Sequence, residues 1–266
     1  MLDPFTEITP GVLVATAVKY TTTSTVITGP GGTCLLVDPA VTVAEVAGLA
    51  AALAARGLRP AVGWSTHPHW DHLLWHAELG DAPRYATAAC VAAAARWRDD
   101  LLLTAMDESA PGHDHALFGA VSALSGPASA LDAINVPWEG PAAQVIVHDG
   151  HAPGHGALFL PDSGVLIAGD MCSDIEFPLL ETDSADPVGD YRAGLSRLAA
   201  VADGVRFVVP GHGHVGDGPE FLRRIAADLA YLDTLERGEP SRDRRIHGEM
   251  AAEYDRQFAF IQGLAC

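Results

Sequence analysis

The stretch His67-Pro68-His69-Trp70-Asp71-His72 carries four metal-capable side chains within six residues, directly after the apolar run Ala61-Val62-Gly63-Trp64. That run reads as a buried strand, so its end delivers a cluster of donors into a cleft. Three neutral imidazoles and a carboxylate suit a borderline-soft divalent cation, zinc first, and iron or manganese accept the same donors. A His-x-His pair alone reads equally well as a histidine-rich surface turn. The Asp-His pair added at this spacing favours the metal reading, and the cluster supplies most of the donors that a two-metal site needs.

Upstream, apolar and β-branched residues alternate over 12–18, 24–28 and 33–37 around Gly29-Pro30-Gly31-Gly32, which predicts antiparallel strands joined by a tight turn. Residues 41–56 are alanine-rich, keep apolar residues at helical spacing and stop at Gly57, a C-cap signal. Downstream, a short helix is expected over 72–79, a short strand over 84–86 and a long helix over 88–103. Residues 104–140 mix Gly, Pro, Ser, Asp and His with little periodicity and read as a lid-like surface excursion. The strand rhythm returns at 144–148, 157–160 and 165–168, predicting a second antiparallel sheet. A helix over 187–202, a strand over 205–209, an amphipathic helix over 219–236 and a last helix within 241–263 complete the chain. The order of elements suggests two similar αβ halves facing each other.

At 266 residues the chain can bury a sizeable core in one large α/β domain, with room for a small appendage. No apolar run is long enough to span a bilayer, and the N-terminus lacks a basic region followed by an apolar one, so no membrane association is expected and the cytoplasm is the expected compartment. Cys34, Cys90, Cys172 and Cys266 are widely spaced and form no C-x-x-C pair, which argues against disulfides and a thiolate zinc knot and predicts buried free thiols. A formal charge of −18 would repel phosphate backbones, so nucleic acid is not an expected partner. A small-molecule substrate is, and a homodimer is compatible with these features.

Three more places set a ligand-type side chain just after an expected strand or inside a glycine turn: His151-Ala-Pro-Gly-His155-Gly156, Leu166-Ile-Ala-Gly-Asp170 and Val208-Val-Pro-Gly-His212-Gly213. Small neighbours let the backbone bend and approach closely there. Taken together, H-x-H-x-D-H, a Pro-Gly-His turn, an Asp after Gly and a second Pro-Gly-His resemble the metallo-β-lactamase superfamily of hydrolases, over roughly residues 12–236. The resemblance implies a four-layer αβ/βα sandwich of two mixed sheets flanked by helices, with residues 1–238 as that domain, 104–140 as an insertion and 239–266 as a C-terminal helical extension.

Carried onto this sequence, the resemblance implies two zinc ions per chain: His67, His69 and His155 on the first, Asp71, His72 and His212 on the second, and Asp170 bridging both. Asp38, in Val37-Asp38-Pro39, would support the site without ligating. The implied chemistry is hydrolysis by a metal-bridging hydroxide, with Asp71 carrying the proton to the leaving group. Tyr191 matches loosely a tyrosine that lactone hydrolases use to steady an oxyanion, and Trp70 and Trp75 are candidate walls of a substrate pocket, against a plain core role. His76 and His151 are read as packing or supporting residues, and His214, His113, His115, His148 and His247 as ordinary polar ones, with His113 and His115 lid-lining candidates.

Departures from individual branches narrow the activity. β-Lactamases lack an aspartate at the bridging position, the flavin-linked diiron enzymes carry glutamate where His69 stands, and nucleases add basic surface. Thioesterases of the glyoxalase II kind hold glutathione with basic residues of a C-terminal segment. Arg242, Arg244 and Arg245 offer such residues, although a solvated helix start beside Asp243 and Glu249 is the favoured reading. The expectation is a dinuclear zinc hydrolase of a small-molecule ester, thioester or lactone, lactonase-like chemistry leading. The alternative is a mononuclear iron persulfide dioxygenase, with β-lactam and phosphodiester hydrolysis behind, and a catalytically silent binding protein of the same fold is disfavoured by the complete ligand set.

Overall fold

The computed structural model describes residues 4–124 and 134–263. Two sheets form its middle. The first runs in sequential order through β1 (Phe5–Thr9), β2 (Val12–Thr16), β3 (Thr23–Thr28), β4 (Thr33–Val37), β5 (Arg59–Trp64), β6 (Arg84–Ala86) and β7 (Ser122–Ala123). The second has the order β12 (Gly216–Asp217), β11 (Phe207–Pro210), β10 (Val165–Gly169), β9 (His155–Leu160), β8 (Gln144–His148). β1 to β4 pair antiparallel, as the alternation predicts, but β4–β5, β5–β6 and β6–β7 are parallel. The second sheet is mixed rather than antiparallel: β10 and β11 run parallel across the crossover helix α4 (Pro187–Ala199). The parallel pairs arise where a crossover connection carries the chain back to the same edge, through a helix at β4–β5, β6–β7 and β10–β11 and through the loop with the histidine cluster at β5–β6.

The strands are apolar on both faces, and alternation sorts the residues into layers. Leu35 and Val37 point with Val12, Val14, Val62 and Trp64 into the space between the sheets, where they meet Val145, Leu158, Leu160, Val165, Ile167 and Val209. Their neighbours Cys34 and Leu36 face outward, against Val46, Leu49 and Leu53 of α1 (Val43–Ala55). The outer face of the second sheet is covered by α4, by α5 (Gly218–Glu236) and by α6 (Glu249–Ile261). The result is the expected four-layer sandwich. Thr42 and Glu45 form a reciprocal capping box at the start of α1, which begins at Val43 and leaves its last turn through Gly57 at φ 68°.

Two segments differ from expectation. The long second helix is α2 (Ala88–Trp97), followed by a π turn (Arg98–Leu102) and α3 (Leu103–Ser109), so it runs further than its alanine content indicates. Within 104–140, Met106, Ala110 and Phe118 are buried and β7 extends the first sheet, so the described part of this segment is built into the core as well as covering it. Residues 125–133 of it lie outside the described residues, as does Cys266. Cys34, Cys90 and Cys172 are buried free thiols. Among the described residues no helix is long and apolar enough to cross a membrane.

Candidate metal centre

Strand direction assembles the site. β4 and β5 are parallel, and Asp38 follows the end of one while His67 to His72 follow the end of the other. In the second sheet β10 and β11 end at the same edge, followed by Asp170 and by Gly211-His212. Strand ends are where backbone groups leave the ladder, so side chains there can converge on a common point. The sheets are joined at this edge by the Trp64 indole donating to the Gly156 carbonyl at 2.8 Å and by Gly156 N–H donating to Thr66 O at 2.7 Å.

Two groups of donors meet there. His67, His69, His151 and Asp170 present ligand atoms all within 4.8 Å of one another, as do Asp71, His72 and His212. Asp170 lies between them: its carboxylate oxygens stand 3.4 Å from His67 Nε2, 3.5 Å from His151 Nε2, 3.3 Å from His72 Nε2 and 3.3 Å from His212 Nε2. Glu176 adds a further carboxylate near Asp170 and His212.

Here the structure corrects one expectation. His151, not His155, joins His67 and His69. His155 opens β9 and faces His148 across the β8–β9 pair, its Nδ1 2.9 Å from His148 Nε2. Its own Nε2 is buried without a partner, packed so closely under Gly169 that a Cβ there would lie 2.2 Å away. His151 precedes the strand, in a turn closed by Gly154 N–H donating to Asp149 at 2.7 Å. It therefore follows the end of β8 as the other donors follow theirs. The expected strand at 144–148 already carries that rule, whereas the Pro-Gly-His likeness of residues 153–155 to residues 210–212 points to the wrong histidine.

Partners behind the rings fix which nitrogen faces the centre. A backbone carbonyl only accepts, so His151 Nδ1, 2.9 Å from Leu179 O, and His212 Nδ1, 3.1 Å from Tyr20 O, carry the proton and leave Nε2 free. His72 Nδ1 faces Asp38 at 3.0 Å, and Asp38 also accepts from Thr66 N and Oγ1 at 2.9 and 2.7 Å. Asp38 thus supports the centre from behind at a backbone φ of 47°, in the place expected.

Charge divides the two groups. Burial lowers His67 well below its ordinary pKa, lowers His69, and brings His151 down to about 4, so these three rings are neutral with lone pairs to offer. Burial also opposes charge on His72 and His212, but Asp170, with Asp71 beside both, outweighs it and raises both well above the ordinary value. Burial pushes the Glu176 carboxyl up to about 7 against the pull of His212. Asp170 Oδ1 is buried without a hydrogen-bond partner. Neutral imidazoles converging on a buried carboxylate offer lone pairs to a divalent cation, and the two imidazoles whose protons are held by Asp170 and Asp71 would give one up to a cation that took its place beside those carboxylates.

The other candidates separate cleanly. Trp70 and Asp71 line a cavity of about 610 Å³ at the centre, together with Trp97, Leu101 and Leu179. Trp75 does not line it; its indole is buried against α1 and donates to Gly80 O at 2.9 Å. Tyr191 lies on the buried face of α4, packed with Met171, Cys172 and Leu195, where burial pushes its phenol well above the ordinary range, and it does not line the cavity. His76 caps a short 3-10 turn, His113 bonds Val41 O, and His115 and His214 pair with Asp107 and Asp174 near the surface. Arg245 is not solvated: it is buried, 2.6 Å from Asp228, and donates to the carbonyls of Ser173 and Glu176.

The metallo-beta-lactamase superfamily model matches residues 18–212, nearly three quarters of the sequence and all of the donors above. The chain belongs to the metallo-β-lactamase superfamily. Its fold is similar to that of a beta-lactamase domain protein from Burkholderia ambifaria, 19% identical over 88% of this chain and 78% of that one, with a TM-score of 0.67. A metallo-beta-lactamase family protein from Thermus thermophilus is 23% identical over 97% and 92% of the two chains, at a TM-score of 0.65. The metallo-beta-lactamase FIM-1 from Pseudomonas aeruginosa, solved in a mono-zinc form, is 17% identical over 86% and 95%, at 0.62. No curated protein matches the chain in sequence. The superfamily is one of metal-dependent hydrolases, and the donors grouped here are candidate ligands for its metals.

Proposed function

We propose that this chain is a dinuclear zinc hydrolase that cleaves an ester, thioester or lactone carbonyl in a small molecule. The observation that carries the reading is Asp170, a buried carboxylate shared by two complete donor groups. One ion would be held by His67, His69, His151 and Asp170, the other by Asp71, His72, His212 and Asp170. Bound there, two divalent cations would polarise a carbonyl oxygen and bring water close to ionisation at neutral pH. Asp71, 3.2 Å from His212 Nε2 and open to the cavity, is placed to take a proton from the attacking water and return it to the leaving group. Trp70, Leu101 and Leu179 give an acyl or alcohol chain an apolar wall. The second donor group favours two ions over the single-iron persulfide dioxygenase reading, which uses only the first.

Elemental analysis of the purified protein, run beside a panel of lactones, thioesters, phosphodiesters and a chromogenic β-lactam, tests this. The expected result is about two zinc per chain with turnover of a carbonyl ester or thioester. About one iron per chain, oxygen consumption and no hydrolysis would replace the reading with the dioxygenase. Asp71→Ala should lose one ion and lower kcat/KM on the order of a thousandfold, with unchanged circular dichroism. Full activity in that variant would overturn the role given to Asp71.

A further inference from the structure

Hydrolysis of a carbonyl needs the metal donors and an apolar wall, yet the cleft is lined by more acid than that. Beyond Asp71 and Asp170, the cavity of about 610 Å³ carries Glu176, Glu181, Asp183 and Glu253. No lysine or arginine stands among the described residues that line it. Asp71 and Asp170 would offset half the charge of two divalent ions, and Glu181 and Asp183, with Glu176 where it is ionised, offset the rest, so the loaded cleft keeps no net positive charge to repel a cation. Glu181 accepts from the Asp183 backbone N–H at 2.9 Å, a neutral donor that leaves its charge in place, whereas Glu253 is partly committed to Arg256.

The acidity of the whole chain does not account for this. A cavity of comparable volume behind α5, about 650 Å³, is lined by five arginines against three carboxylates, so acidity is not spread evenly over the molecule's cavities. Two tryptophans stand with the carboxylates in the cleft. Trp70 is held edge-on by Tyr20, ring centroids 6.3 Å apart, and Trp97 sits where α2 passes into the π turn Arg98–Leu102. A π turn inserts a residue into a helix and re-aims the side chains beyond it; here Trp97, Leu101 and Leu102 all reach the cavity. Carboxylates together with indole rings are the chemistry that recognises an organic cation.

The geometry points to a substrate that carries a cationic nitrogen, an ammonium or quaternary ammonium group, seated against Trp70, Trp97 and these carboxylates while its scissile carbonyl faces the metal donors. Which bond is cleaved rests on the hydrolase reading above; the cation site does not.

The test uses the metal-loaded full-length enzyme and three acetyl thioesters of matched size: acetylthiocholine, its uncharged tert-butyl isostere and a carboxylate-bearing analogue. The cationic thioester should be favoured over the isostere in kcat/KM on the order of tenfold, and the anionic one should be slowest. The preference should shrink in high salt and fall towards unity in Glu181→Gln/Asp183→Asn. In parallel, tryptophan fluorescence titration with choline and with its uncharged isostere reads binding without turnover. Tighter choline binding with no hydrolysis of any thioester would remove thioesters from the hydrolase reading and keep the cation site. Equal binding of both, or a faster anionic substrate, overturns the cation site whatever the turnover.

Discussion

The two large cavities are nearly equal in volume and opposite in chemistry. Behind α5, Arg224 and Arg245 have their guanidinium groups spent on the protein itself: Arg224 donates to the carbonyls of Cys172 and His214, and Arg245 to those of Ser173 and Glu176 and to Asp228 and Asp243. At the strand ends, the imidazole nitrogens of two donor groups face Asp170, whose Oδ1 has no hydrogen-bond partner. Volume does not mark a site. Several ligand-type side chains converging on one buried point do, because burying them together carries a desolvation cost that an incoming cation repays.

The sharpest way to break this comparison is to exchange the roles of the two histidines in the turn. His151→Ala removes a nitrogen that faces the centre, and we expect one ion to be lost and kcat/KM to fall on the order of a thousandfold. His155→Ala removes a ring that packs behind Gly169 and pairs with His148, so both ions should stay, bound on the order of tenfold more weakly at most. Metal titration by calorimetry on the two variants decides it; loss of an ion in His155→Ala with full occupancy in His151→Ala would reverse the assignment.

How far the sequence reaches is visible in the same turn. His67, His69, Asp71, His72, Asp170 and His212 stand out because each lies at or soon after the end of an apolar run that reads as a strand, and strand ends converge. His155 misleads because its Pro-Gly-His setting looks like that of His212, while its place at the start of β9 depends on pairing with β8, which no local pattern states. The mixed sheets are implied by the family resemblance, and local alternation does not state which pairs are parallel. Alternation tells which face a residue takes, and only the crossover connection sets the direction of the next strand. The buried state of Arg245 is invisible in the sequence because its partners, Asp228 and the Ser173 and Glu176 carbonyls, lie far away along the chain.

That arginine gives the next test, because it links the two regions. It reaches from the C-terminal segment to the loop that carries Glu176, and Gln257 of α6 binds Pro178 O and Leu180 N beside it. Arg245→Leu leaves Asp228 buried without its cation, which should cost about 3–5 kcal/mol in denaturant unfolding. Arg242 and Arg244 are not buried on the same segment, and Arg242→Ala should stay within about 0.5 kcal/mol. Equal small losses in both would mean that the cavity behind α5 is not clamped as described, and would return its arginines to the role of free cations.

The smallest expected effect separates the cleft from the core beneath it. Tyr191 is a candidate to steady a developing oxyanion only if its hydroxyl meets the cavity, and it lies instead on the buried face of α4 among Met171, Cys172 and Leu195. Its phenol is held well above the ordinary range, first by burial and then by Asp228, which makes it a poor proton donor as well as a distant one. Tyr191→Phe keeps the ring that packs and removes only the hydroxyl. Steady-state kcat/KM on the best substrate of the panel should therefore remain within about twofold, against the roughly hundredfold loss expected on removal of an oxyanion donor. A loss near that size, with unfolding unchanged, would mean that the loop after Asp170 moves far enough in turnover to bring α4 to the substrate.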